Sequence, residues 1–137
     1  ANLVPPCELD GHHHGTSAAL EFAVTGLQVS TIIVLGHASC GGIHASLTRM
    51  YDTSEQQSFI QRWMSIIEPA RQAVLRQSRD PSLESLQPVL EREAIRLSLR
   101  NLMSFPFIRE RVGRSELSLH GAHFGIESGK LELIDSI

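Results

Sequence analysis

Ser30-Thr31-Ile32-Ile33-Val34-Leu35-Gly36-His37-Ala38-Ser39-Cys40-Gly41-Gly42 is the stretch on which the fold turns. Its first seven residues are β-branched and apolar on both faces, the pattern of an inner strand of a parallel sheet. An imidazole and a thiol follow, three positions apart, where the strand gives way to a helix. A neutral histidine nitrogen and a cysteine thiolate are both good Zn²⁺ ligands, and two ligands on one tight turn can reach a single tetrahedral ion. Open α/β sheets collect their ligands beyond the carboxyl ends of the strands, so the pair stands where this architecture puts chemistry. Gly41 and Gly42 suit the same place, because a backbone without Cβ turns sharply and leaves room beside an ion or a substrate. His37 and Cys40 are therefore candidate metal ligands, and Gly41 and Gly42 candidate pocket residues.

Working upstream, Cys7 to Gly15 is a loop by composition, and Thr16 or Ser17 can cap a helix. Ala18, Ala19, Leu20, Phe22, Ala23, Val24 and Leu27 predict a largely apolar, well-buried helix ending near Gly26. Downstream, a helix is expected over about 43–50. Ser54-Glu55-Gln56-Gln57 resembles a capping box ahead of Phe59, Ile60, Trp63, Met64, Ile66 and Ile67, which recur at helical spacing. Pro69 should kink or split that helix. A longer one, roughly Leu83 to Ser104, carries its apolar residues on one side and alternating Glu and Arg on a wet face. Phe105-Pro106-Phe107 breaks it, and 108–112 adds a short helical turn. At the end the period changes to two: Leu117 and Leu119, then Phe124 and Ile126, a turn at Ser128-Gly129, and Leu131 and Leu133, which together predict a β-hairpin. The expected fold class is α/β, a parallel-sheet core flanked by helices with a C-terminal β-hairpin.

With 137 residues, 42% hydrophobic and 20% charged, the chain has material for one domain with a modest core. A formal net charge of −3 leaves no electrostatic footprint for nucleic acid. Its apolar runs fall well short of the ~20 residues of a membrane-spanning helix, so neither nucleic acid nor membrane is an expected partner. Two cysteines outside any disulfide-framework spacing point to a reducing compartment, the cytoplasm, where thiols serve as ligands or nucleophiles. No Gly-x-Gly-x-x-Gly or Gly-Lys-Ser/Thr loop supports a nucleotide site, and no Gly-x-Ser-x-Gly elbow surrounds Ser39.

Ala1-Asn2-Leu3-Val4-Pro5-Pro6, Gly15 to Val24, Val34 to Gly42, Glu68-Pro69-Ala70-Arg71, Glu91 to Ile95, Phe105-Pro106-Phe107 and Leu119-His120-Gly121 together resemble, in order and spacing, the β-class carbonic anhydrases. The His-x-x-Cys-Gly-Gly segment is the specific element, being similar to the second of that family's two metal motifs. The resemblance implies that His37 and Cys40 ligate zinc. It further implies that Cys7, after the Pro-Pro pair, together with Thr16 and Phe22, lines a substrate pocket between subunits, although Phe22 reads first as core. The family's first motif, Cys-x-Asp-x-Arg, with its third ligand and its Asp-Arg pair, is not in these 137 residues. Residues 1–137 thus read as a β-carbonic-anhydrase-like domain lacking its N-terminal strands and helices, with the strand at 30–36 left without a neighbour and the sheet incomplete. Cys7 and Asp10 mimic the missing spacing, but their surroundings match the loop after Pro-Pro.

The activity so implied is reversible hydration of CO2 to bicarbonate by a zinc-bound hydroxide, in a homodimer or larger homo-oligomer. Two alternatives are a metal-free interaction module and a CS2 or COS hydrolase on the same scaffold. Among the remaining histidines, His12-His13-His14 reads as a solvated loop cluster, or as a carrier of protons between the site and buffer. His44 is expected at solvent or in a hydrogen bond, and His120 and His123 in packing or turns. Trp63 is expected in the core or at a dimer interface.

Overall fold

The computed structural model describes residues 3–9, 14–50 and 59–137. Asp10 to His13 and the 54–57 capping box lie outside the described residues. The apolar run becomes strand β1, Thr31–His37. It pairs in parallel with β2, Ser118–Gly125, which pairs antiparallel with β3, Lys130–Ser136, so the order is β1-β2-β3 with one register shift at Gly121/Ala122. The parallel strand and the C-terminal hairpin are as expected. β1 does have a neighbour, contrary to the expectation that it would stand alone, because its register runs alongside β2 from Thr31↔Ser118 to His37↔Phe124.

β1 is not buried on both faces. Val34 is buried and points to the helical side, whereas Ile33 and Leu35 are 62% and 47% exposed. Cross-strand register continues that open row through Phe124, Leu131 and Leu133, all exposed. Among the described residues, β1 is an edge strand with an uncovered apolar face.

The helical layer is α1 (Gly15–Glu21), continued by a π-turn over Phe22–Gly26; α2 (Gly41–Leu47); α3 (Phe59–Met64); α4 (Glu68–Gln77); α5 (Leu83–Leu102); and α6 (Pro106–Gly113). Pro69 divides α3 from α4 as predicted, with a 3₁₀ turn, Ser65–Ile67, before it and the proline in the first turn of α4, where its missing N–H is harmless. The first helix is not well buried: Val24 alone is sequestered, and Phe22, expected in the core, is 63% exposed. Its alanines fall on both sides of the cylinder, so the sequence offered apolar content without a stripe.

α5 organises the interior. Ser82 caps it, its hydroxyl accepting from the Ser85 N–H at 3.3 Å, and Asp80 in turn accepts from the N–H and hydroxyl of Ser82, both at 2.9 Å. One flank, Leu86, Leu90, Ala94 and Leu97, packs with Ile43, Ile67, Ala70 and Val74; the other, Ile95, Leu99 and Leu102, packs with Val34, Leu119, Phe105 and Ile108. The sheet-facing flank comes unusually close because Gly36 and Gly121 lie beneath it. A Cβ on Gly121 would fall 2.5 Å from Ile95 Cγ2 and 3.0 Å from Leu99 Cδ1. Chain segment 3–7 is strapped across the same helix: the Val4 N–H donates to Ser98 Oγ at 3.3 Å, Asn101 Nδ2 to the Val4 carbonyl at 2.7 Å, and the Cys7 N–H to Ser104 Oγ at 2.8 Å.

On α4, Arg71 is 5% exposed and donates through Nε and Nη2 to Glu68 at 2.8 and 2.9 Å. This fork, with a further bond from Gln72, holds the Glu68 carboxyl below its ordinary value of 4.5. A carboxyl lowered in this way stabilises the fold above pH 4.5, and the contribution fades as pH falls through the lowered value. Glu68 is 45% exposed, so solvent screening keeps the effect under about 1 kcal/mol. Urea titrations should show Glu68→Gln less stable than the parent at pH 7, with the gap closing on acidification below 4.5.

Candidate metal centre

The carboxyl end of β1 opens onto a cavity of about 270 Å³. His37, Cys40, Glu91 and Ser98 are its polar lining; Val34, Leu35, Ile43, Met64, Ile67 and Ile95 supply much of its apolar wall. The sequence-predicted pair is thus brought to one cavity by one turn. Three contacts and one strained residue define that turn. The Ala38 N–H donates to the Phe124 carbonyl at 2.9 Å, tying the turn to β2. Ser39 has φ of 56°, a left-handed conformation that costs a residue with a side chain on the order of 1 kcal/mol and persists only where surroundings impose it. His37 Nδ1 lies 2.9 Å from the Ala38 carbonyl. A carbonyl only accepts, so Nδ1 carries the proton and a neutral ring keeps its lone pair on Nε2. The third contact comes from α5: the Cys40 N–H, just ahead of α2, donates to Glu91 Oε1 at 3.0 Å.

Glu91 was expected on the wet face of its helix and is instead 4% exposed. Its Oε2 is 3.1 Å from Nε2 of His123, itself 4% exposed, and Gln87 Nε2 donates to Oε1 at 3.2 Å. A buried carboxylate is tolerable only when its oxygens are occupied, and here three donors from three elements occupy them. The sequence held a signal for this. Glu91 falls in step with Ile95, Leu99 and Leu102 on the sheet-facing stripe, a charge where the period calls for an apolar residue.

Gly42 lines the cavity, with Cys40 Sγ 3.8 Å from where its Cβ would be; Gly41 is exposed in open space. Thr16, Phe22 and Cys7 are not among the lining residues. Thr16 sits in the first turn of α1, Phe22 starts the π-turn, and Cys7 is half-buried against the sheet-side core. Of the other histidines, His44 is exposed with Nδ1 3.3 Å from Gln87 Oε1, and His120 Nδ1 lies 2.9 Å from Ser136 Oγ.

The donor chemistry fits part of a zinc site. An imidazole with its second nitrogen already committed to a carbonyl is the usual state of a zinc-binding histidine, and Cys40 is a free thiol on the same cavity. Two donors are half of a tetrahedral set, and among the described residues no group of three His, Cys, Asp or Glu side chains converges.

Comparison with known proteins identifies the class. The family model for carbonic anhydrase matches residues 1–131, and the chain belongs to that family, in its β class. It is 38% identical over 134 residues to β carbonic anhydrase 3 of Arabidopsis thaliana, an alignment covering 97% of this chain and 52% of the relative. The chain therefore spans about half the length of this curated relative. Among solved structures, the β-carbonic anhydrase CcaA superposes with a TM-score of 0.85 at 31% identity, over 98% of this chain and 61% of the other. A tetrameric β-carbonic anhydrase from Sordaria macrospora gives 0.78 at 22% identity, over 98% and 65%, a likeness of fold.

Proposed function

We propose that this chain contributes His37 and Cys40 to a zinc centre that reversibly hydrates CO2 to bicarbonate. The observation that carries the reading is the His37 ring, whose Nδ1–H is spent on the Ala38 carbonyl so that a neutral ring keeps its lone pair on Nε2, on a cavity that Cys40 also lines. When bound, Zn²⁺ would lower the pKa of a coordinated water from far above neutrality towards 7 and so supply a nucleophile at neutral pH. The chain's own residues do the rest that can be derived from them. His37 and Cys40 hold the ion, the left-handed Ser39 sets the bend between them, and Gly42 leaves the approach open. The apolar wall of Val34, Leu35, Ile43 and Ile67 suits a small uncharged substrate. Bicarbonate, being charged, gains nothing from that wall, which favours its departure.

A homo-oligomer fits the uncovered sheet face, and the Sordaria macrospora relative is described as tetrameric. Two free cysteines fit a reducing compartment such as the cytoplasm. No helix among the described residues is long and apolar enough to cross a membrane.

Stopped-flow CO2 hydration and metal analysis of the intact protein that carries these residues test the proposal together. Close to one zinc per chain with hydration well above the buffer rate is expected. A chain that takes up no zinc at neutral pH under reducing conditions refutes the reading in favour of an interaction module, and turnover of CS2 in preference to CO2 refutes the substrate.

A further inference from the structure

We propose that Glu91, locked by His123 and Gln87, is the positioning residue for Cys40: its carboxylate fixes the amide of that residue and thereby the direction of the thiol into the cavity. The inference deepens the zinc reading and rests on it for its biological sense. It begins from a local imbalance. Ser39 is in a left-handed conformation without being glycine, so the turn between His37 and Cys40 stores strain and requires an outside constraint. On the His37 side the constraints come from β2 and from the turn itself. On the Cys40 side the amide is held by Glu91, fifty-one positions away in sequence, at 3.0 Å. Cys40 is the N-cap of α2, with backbone angles of −66° and 118°: the helix holds its carbonyl through the His44 N–H at 3.0 Å, and Glu91 holds its amide.

Glu91 can serve because it is itself immobile. It is buried, it stands on the helix that packs against both interior clusters, and its two oxygens accept from the Cys40 N–H, Gln87 Nε2 and His123 Nε2. Gln87 adds a second, longer reach to the same turn, 3.5 Å to the Cys40 carbonyl. The pattern demands an acceptor on both oxygens. Glutamine at this position has the same shape but turns an NH2 towards one side: towards the Cys40 N–H it sets a buried donor against a donor, and towards His123 Nε2 it requires the other ring tautomer. Outer partners of metal ligands commonly change metal affinity about 10- to 100-fold when altered.

The test uses the full chain and reads three quantities: zinc affinity by competition with a chromogenic chelator, the rate of Cys40 alkylation by iodoacetamide in metal-free protein followed on the Cys40 peptide by mass spectrometry, and the unfolding midpoint. Glu91→Gln is expected to weaken zinc binding about 10-fold or more. It should also speed Cys40 alkylation at least about threefold, since the turn loosens and the thiol samples more exposed orientations. Should Glu91→Gln fail to fold, His123→Leu and His123→Gln decide. His123→Leu should reproduce both effects, and His123→Gln, which keeps a donor for Glu91, should restore them. A lowered unfolding midpoint with zinc affinity and alkylation rate unchanged would make Glu91 a packing residue and overturn the proposal. If zinc fails to protect Cys40 of the parent chain from alkylation, the zinc reading has failed, and the metal-free rates still decide whether Glu91 positions the thiol.

Discussion

Cys40→Ser should strip the protein of zinc, from close to one equivalent to less than about a tenth, because the hydroxyl is a poor ligand and a catalytic tetrahedral site rests on three protein donors. On the proposed zinc reading, CO2 hydration should fall with it by about 10³-fold or more, since the nucleophile would then depend on the metal's lowering of the pKa of water. His37→Ala should do the same. The serine variant is the sharper of the two, because it keeps the size of the side chain and the amide that Glu91 accepts from. With both proteins metal-free, its unfolding midpoint should stay within about 4 °C of the parent, corresponding to under about 1 kcal/mol for a domain of this size. Loss of zinc with preserved folding identifies a ligand; retention of zinc and of hydration in Cys40→Ser would remove the residue from the site.

Gly121→Ala should destabilise the domain by about 1 to 3 kcal/mol, a large effect for one methyl group. The cause is the close seat of α5 on the sheet. A Cβ at 121 falls 2.5 Å from Ile95 Cγ2, and that methyl is no flexible tip: it moves only with χ1, which a helix holds almost entirely in one well. Either Ile95 leaves its rotamer or the helix lifts from β2. Gly36→Ala meets Ile95 at Cδ1 and Cγ1, 2.7 and 2.9 Å away, where the outermost atom can swing aside, and should cost less. Ile95→Ala removes the obstacle, so Gly121→Ala should be milder in that background than alone, a coupling that a double-mutant cycle in urea would measure. Simple additivity would refute the clash.

Much of this arrangement was written plainly in the chain. The run Ile32 to Leu35 could be little else than a strand, the change of period after Leu117 announced the hairpin, and Pro69 marked the break between α3 and α4. The His-x-x-Cys spacing located the cavity because a strand's carboxyl end followed by glycines has one architectural meaning in a parallel sheet. What escaped the reading depended on neighbours distant in sequence. Exposure of Phe22 and Ile33 reflects what lies, or does not lie, against those faces, and periodicity reports a face without reporting its cover. Glu91 was assigned to solvent because charge outweighs position in any local reading. Its burial follows from donors on β2 and on the Cys40 turn, 32 and 51 residues away, that only folding assembles around it.

Ile33, Leu35, Phe124, Leu131 and Leu133 form a greasy shelf that borders the open rim of β1. A rim that pairs with no further strand among the described residues, next to such a shelf, is a template on which another ribbon can dock. Prepared in isolation, residues 1–137 should therefore sediment as clusters that grow with concentration, and a lysine at Ile33 or Leu133 should raise the level at which they stay dispersed.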